Sequence, residues 1–175
     1  MERFLIPICL RSLCRHTKRN YKLARVSKHG LPGTIQVLID GSEIMEAIRQ
    51  FQANTRTFWG ACVDSSLPEF SVGKVKQGYI DAKKRGVRIL YITEITKGNL
   101  RHCMEIMQLA ELRHLDGVRG NFAVSDTEYV AGVKRGSALV SLVHSDIAEL
   151  VMQQRHVFDT LWQQAAPAKE RLERL

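Results

Sequence analysis

The sequence predicts an α/β fold: a mixed, mostly parallel sheet flanked by helices and closed by a long C-terminal helix. Three observations predict it. Between residues 34 and 112, short runs rich in β-branched and aromatic residues alternate with stretches of helical period. After Gly120 the period changes to two residues, and from Ser145 to about Ala165 apolar residues recur at helical spacing. At 175 residues, with 45% hydrophobic and 25% charged, the chain has the size and composition of one globular domain able to bury a core.

The elements follow in order. Ile35–Ile39 reads as a buried strand, ended by the turn signal Asp40-Gly41. Ser42 is placed to cap the next helix, in which Ile44, Ile48 and Phe51 make one apolar face and Glu43 and Glu46 favour the positive end of the helix dipole. Phe58–Val63 reads as a second strand, ending in the loop Asp64-Ser65-Ser66. Loops at the carboxyl ends of strands are where open α/β sheets bind ligands.

Val72, Val75, Tyr79 and Ala82 then form one helical stripe, with Lys83, Lys84 and Arg85 in the last turn and Gly86 just beyond. Val87–Thr93 is dense enough in β-branched and aromatic residues to be a central strand. A helix from about Asn99 to Leu112 would turn Leu100, Cys103, Met107 and Ala110 inward. Phe122 and Val124 face one way and Ala123 the other, and Asp126-Thr127-Glu128 can turn the chain into Tyr129-Val130-Ala131. Ala138–Val143 is a further strand. Ser145 would cap the C-terminal helix, whose stripe is Ile147, Leu150, Val151, Gln154, Phe158, Leu161 and Trp162 and which ends at Pro167.

Charge divides the chain. Residues 1–33 hold eight Lys and Arg against Glu2 alone, which accounts for +7 of the +8 formal charge and leaves residues 34–175 almost neutral. The domain organisation expected is a basic and disordered arm over 1–33, a folded domain over 34–166 and a helical tail over 167–175. The apolar run Phe4–Leu10 followed by cations suits an anionic membrane surface, and the basic arm equally suits nucleic acid phosphates. The charges follow the apolar run and no A-x-A-like site ends it, which argues against a cleaved signal peptide. No apolar run approaches ~18 residues, so the expected location is the cytoplasm.

Cys9, Cys14, Cys62 and Cys103 form no C-x-x-C and read as free thiols of a reducing compartment, with redox sensing through Cys62 as the alternative. His16, His102 and His114 show no metal-ligand spacing with them. There is no G-x-x-x-x-G-K-[ST] and no strand-linked G-x-G-x-x-G, so neither a nucleotide nor another cofactor is expected.

The stretch Glu111–Asp126, ELRHLDGVRGNFAVSD, resembles the active-site strand of the phospholipase D superfamily, which carries H-x-K-x-x-x-x-D. In that family the His attacks phosphorus, the Lys neutralises phosphate charge and the Asp orients the His. Counted back from Asp126, Arg119 stands at the His position and Asn121 at the Lys position. A guanidinium stays protonated and is no nucleophile, and an amide carries no positive charge. The resemblance therefore implies a phospholipase D-like fold without its hydrolytic chemistry.

Longer phrases between Arg56 and Arg171, among them WGACVDSS, YIDAKKRGVRILYITEITKGNLRHCMEIM and QQRHVFDTLWQQAAPAKERL, resemble the sensor module that precedes the kinase core in archaeal sensory histidine kinases. That resemblance implies a non-catalytic sensory domain of a two-component signal-transduction system, with a small ligand or signalling partner, a histidine kinase as possible partner, and a homodimer. The nucleotide-binding segments of a kinase are missing from the chain itself. An effector domain of a transcriptional regulator, or a nucleic-acid-binding protein using the basic arm, is the second expectation, and a phosphodiesterase the remote third. The candidate ligand-binding residues are Asp64, Glu94, Arg113, His114, Arg119, Asn121 and Asp126, with the strand-end segments at 64, 94 and 121–126 expected to converge on one sheet edge or cleft of the resembled fold, and Glu94 opposite Arg113 or Arg119 as an ion pair or as a seat for an amphoteric ligand.

Overall fold

A computed structural model describes residues 33–136 and 138–175. Apart from Gly33, the basic arm lies outside the described residues, as do Cys9 and Cys14, and so do the disorder, membrane and nucleic-acid readings of that arm.

The chain opens with β1 (Ile35–Leu38) and α1 (Gly41–Asn54). The cap of α1 is Asp40 and not Ser42: the Asp40 carboxylate accepts the Ser42 and Glu43 N–H groups at 2.8 and 3.2 Å, and Ser42 sits inside the first turn with its hydroxyl donating to Asp40. A carboxylate at the positive end of the helix dipole is the better acceptor. β2 (Phe58–Val63) falls where expected and is buried along its whole length.

The stripe Val72, Val75, Tyr79 and Ala82 is buried as expected but is shared by two helices, α2 (Pro68–Val72) and α3 (Lys76–Lys84). The break follows Gly73, whose N–H closes the last turn of α2 on Glu69. Gly86 then turns the chain at φ 82°, a conformation that glycine adopts without strain, into β3 (Arg88–Thr93). α4 (Leu100–Ile106) is shorter than its sequence pattern suggests, because Glu111–His114 leaves the helical path to form β4. Pairing of β4 with β3, from Leu90 opposite Glu111 to Thr93 opposite His114, outweighs the local helical preference.

β5 (Phe122–Ser125), β6 (Tyr129–Arg135) and β7 (Ala138–Ser145) follow as antiparallel neighbours. Ser145 does not cap the helix after it. It closes β7, its hydroxyl donating to the Thr34 carbonyl at 2.9 Å and accepting the Ile147 N–H at 3.2 Å, and α5 (Ala148–Gln164) starts from Ile147. Residues 165–172 fold back on the sheet: β8 (Ala166–Pro167) pairs with β4, and α6 (Ala168–Leu172) packs beside it with Ala168 buried. The expected helical tail is thus seated on the domain.

The eight strands form one mixed sheet in the order β1-β7-β6-β5-β2-β3-β4-β8. Mixed character flanked by helices agrees with the sequence, but parallel pairing is confined to β2–β3 and β3–β4, and the other five pairs are antiparallel. β1 is an edge strand and not a buried one, with Ile35, Val37 and Ile39 45%, 56% and 62% exposed.

Two cores sandwich the sheet. Helices α1 to α4 and α6 cover one face around Phe51, Trp59, Tyr79 and Tyr91, and α5 covers the other around Phe58, Leu90, Val124 and Phe158. A Cβ on Gly60 would stand 2.8 Å from the Phe158 ring, so the missing side chain lets α5 approach β2. No helix among the described residues is long and apolar enough to cross a membrane.

Candidate functional site

The carboxyl ends of the three parallel strands meet the amino end of antiparallel β5 at one margin of the sheet, and four of the seven candidate residues lie there. Asp64 follows β2, Glu94 follows β3, His114 ends β4, and Asn121 precedes β5. Asn121 and Asp64 are joined reciprocally: the Asn121 Nδ2 donates to the Asp64 carboxylate at 2.7 Å, and the Asp64 N–H donates to the Asn121 Oδ1 at 2.9 Å. The Ser66 N–H and hydroxyl also donate to Asp64. Desolvation pushes the Asp64 carboxyl up, but the Ser66 and Asn121 hydrogen bonds and the Lys134 charge outweigh it and hold the group below the ordinary carboxylate range.

His114 is buried, and its Nδ1 accepts the Ile95 N–H at 2.9 Å. A backbone N–H only donates, so the lone pair is on Nδ1 and the proton on Nε2, which faces Asp116 at 3.0 Å. This ring ties the β3 loop to β4 and has no lone pair left for a ligand. Glu94 makes no ion pair among the described residues, so the expected pairing with Arg113 or Arg119 does not form. Strand alternation explains it for Arg113, which points to the α5 face, stacks 4.3 Å over the Trp162 ring and donates to the Trp162 carbonyl. Arg119 is exposed on the loop before β5.

Asp126 does not join the others. It lies at the opposite end of β5, where its carboxylate accepts the N–H groups of Arg56, Thr57 and Phe58 at 2.9, 2.8 and 3.3 Å and the Thr57 hydroxyl. Desolvation raises its pKa, and the Thr57 and backbone hydrogen bonds more than reverse the effect, so the group stays ionised below the usual range. Its work is to start β2, five residues and a whole strand away from Asn121.

One residue that organises this margin escaped the sequence reading. Asn99, 5% exposed, donates to the carbonyls of Ser65 and Glu94 at 2.8 and 2.9 Å and accepts the Thr96 N–H at 2.9 Å, fastening the β2 loop to the β3 loop. A polar residue on the buried side of a helix start is its only sequence signal. Lys134 reaches the same loop, donating to the Ser66 carbonyl at 3.0 Å. At the far sheet end a second network joins buried Glu128 to His144 at 3.0 Å and to Asn54 at 2.6 Å.

A separate cleft of about 370 Å³ opens between α1 and α3, with Arg49, Lys74 and Arg85 around it and Asp81 as its one acid. Arg85 is fixed by the carbonyls of Gln52 and Thr55. Among the described residues no group of three His, Cys, Asp or Glu could hold a metal. Cys62 and Cys103 are buried, and burial pushes their thiols up to about 12 and about 11, which is opposite to the activation a redox sensor needs.

This architecture is found in solved structures. NucT from Helicobacter pylori superposes with a TM-score of 0.64 at 10% identity, over 77% of this chain and 99% of that one. TrmBL2, an archaeal chromatin protein whose structure shows a novel mode of DNA binding, superposes with a TM-score of 0.60 at 17% identity over 76% of this chain. The chain spans 54% of that protein's length. The fold is phospholipase D-like, as the sequence resemblance implies. No protein-family model matches the sequence, and no curated protein matches it. The comparisons carry the phospholipase D-like part of the resemblance, while the kinase-sensor part rests on the sequence phrases alone.

Proposed function

We propose that this chain is a non-catalytic phospholipase D-like domain of a regulatory protein, which binds nucleic acid without cleaving it. The observation that carries the loss of chemistry is the Asn121–Asp64 pair. At the position of the family's phosphate-binding Lys stands an amide whose donor is taken up by the Asp64 carboxylate and whose acceptor is taken up by the Asp64 backbone N–H. A phosphate entering there would meet the Asp64 charge and no cation on Asn121 to offset it. Arg119, at the nucleophile position, offers a guanidinium, which is no nucleophile.

Nucleic acid as partner is supported by three things. The DNA-binding chromatin protein shares the fold. The first 33 residues carry +7. In the folded body the α1–α3 cleft is lined by Arg49, Lys74 and Arg85 against the single acid Asp81, an excess of cations of the kind phosphates attract. Fluorescence anisotropy with a labelled DNA duplex and single strand tests it. The full chain should bind with an affinity that falls steeply with salt, and removing residues 1–33 should cost most of it. Salt-independent or absent binding would overturn the reading.

A sensory module feeding a signalling partner such as a histidine kinase is the second reading, favoured by how the C-terminal segment is attached. Pro167 and Ala166 pair with Arg113 and His114, and Arg171 donates to the Ile95 carbonyl, so the site loops and residues 165–172 are one mechanical unit. Hydrogen exchange in 166–172 should rise in Asn99→Ala if the two are coupled and stay unchanged if they are not. Homodimerisation belongs to both readings and is measured by light scattering on residues 34–175.

A further inference from the structure

The strand register puts the junction between the basic arm and the body at the sheet end away from Asn121. Ile35 and Tyr129 both pair with Ser145, Val124 pairs with Tyr129, and the next residue, Ser125, pairs with Trp59, so Thr34 lies at the end where β2 starts. The Asp64–Asn121 margin is a whole β2 strand away, about 20 Å at about 3.3 Å per residue. The +7 of residues 1–33 is thus tethered at the end remote from the positions where the family does its chemistry.

Five cations of the body gather at the same end. The Arg85 guanidinium lies 3.3 Å from the Thr55 carbonyl, next to Arg56, and the Arg88 N–H donates to the Thr57 carbonyl at 2.9 Å. Lys83 and Lys84 occupy the last turn of α3 beside them, and all five residues are exposed. Lys83 and Arg85 also bond the carbonyls of Gln108, Gln52 and Thr55, but a capped carbonyl is neutral and cancels no charge. Acids of this end are engaged locally: Glu111 faces Arg88 at 3.6 Å, Glu128 is buried with His144, Asp146 accepts from Thr34, and Asp126 is turned onto the N–H groups of residues 56–58. Arg56, Lys83, Lys84 and Arg85 have no carboxylate partner among the described residues.

Arg85 also lines the α1–α3 cleft, so the cleft opens onto this cluster. From Arg56 at the start of β2 to Thr34 at the start of β1 is four strand spacings, about 19 Å. A duplex carries one charge per about 1.7 Å of its axis, so a span of that length faces on the order of ten phosphate charges.

We infer that nucleic acid lies across this end of the sheet, from the α1–α3 cleft over Arg56 and Lys84 to the root of the arm, and not at the Asp64–Asn121 margin. The inference rests on the nucleic acid reading above and adds where the polyanion sits. Bound there, the phosphodiester backbone is kept a strand length from Asn121, so separation adds to the loss of catalytic groups in sparing the bound strand.

Two charge-reversal pairs in the full chain separate the two ends. Arg56→Glu with Lys84→Glu alters the inferred surface, and Lys97→Glu with Arg119→Glu removes as many cations at the margin. All four side chains are exposed and make no ion pair among the described residues, so both pairs should keep the parent's melting temperature. In anisotropy with a labelled DNA duplex at about 0.1 M salt, the first pair should bind about tenfold more weakly and the second within about twofold of the parent, and the salt slope of the first should drop by about 1.8, at about 0.9 per lost phosphate contact. The neutral pair Arg56→Gln with Lys84→Gln should fall between the parent and the reversal, a graded loss that a folding defect does not give. Equal losses in the two reversal pairs, a larger loss at the margin, or no loss in either would overturn the placement while leaving nucleic acid binding itself standing. A parent chain that binds no DNA would overturn both.

Discussion

Asn121 and Asp126, separated by the four residues of β5, stand at opposite ends of that strand, one bonded to Asp64 at the carboxyl end of β2 and the other to the N–H groups of Arg56, Thr57 and Phe58 at its amino end. The two stand five residues apart, as in the motif the stretch resembles, while sharing no site. Asp126 therefore acts on folding and leaves the Asp64 margin untouched.

Asp126→Asn should lower stability by about 1–2 kcal/mol in urea unfolding at pH 7, a modest figure because the carboxylate is exposed to water. Asp126 has a folded pKa below its unfolded value, so its contribution is present above the unfolded pKa of about 3.9 and is lost as pH falls through the folded one. Melting temperatures measured from pH 5 down to pH 2 should fall less steeply in the variant than in the parent.

Gly60→Ala should prise α5 from the sheet. The new Cβ would stand 2.8 Å from the Phe158 ring, which is fully buried against Phe58 and Trp162 and has nowhere to move. Overpacking of this kind costs about 1–3 kcal/mol, read as a shifted urea midpoint with unchanged slope.

Most of the fold was legible, and the misplaced parts share a cause. β2 is a fully apolar run, β3 is apolar between Arg88 and Thr93, and the stripe from Val72 to Ala82 is helical, so local pattern and final environment agree. β4 was read as the end of a helix because its strand state comes from pairing with β3, a contact that Glu111–His114 does not encode locally. β1 looked buried because Ile35, Val37 and Ile39 are apolar, yet the sheet ends there. Of the site, the strand-end positions of Asp64, Glu94 and Asn121 were readable from the α/β order, and that of His114 was not, because β4 itself was not. The reach of Asn99 across two loops was not readable either, since it depends on where the ends of β2 and β3 meet.

Asn121→Ala should release the Asp64 carboxylate. With one of its hydrogen bonds gone, its pKa should rise toward the ordinary value, measured by the ¹³C shift of the carboxyl in an acid titration. An unchanged titration would mean that the reciprocal pair does not hold in solution.

Lys74→Glu combined with Arg49→Glu should weaken binding to DNA of any sequence and reduce the salt slope by about 0.9 per lost phosphate contact. Both side chains are exposed, so thermal stability should change little.

The most direct test of a domain that binds without cleaving is a single incubation of the full chain with end-labelled DNA, resolved once on a native gel and once on a denaturing gel. The account predicts a retarded complex on the first, sensitive to salt, and full-length DNA on the second after prolonged incubation. Fragments that accumulate above background and vanish in Asn121→Ala would contradict it, as would DNA that migrates free at every protein concentration.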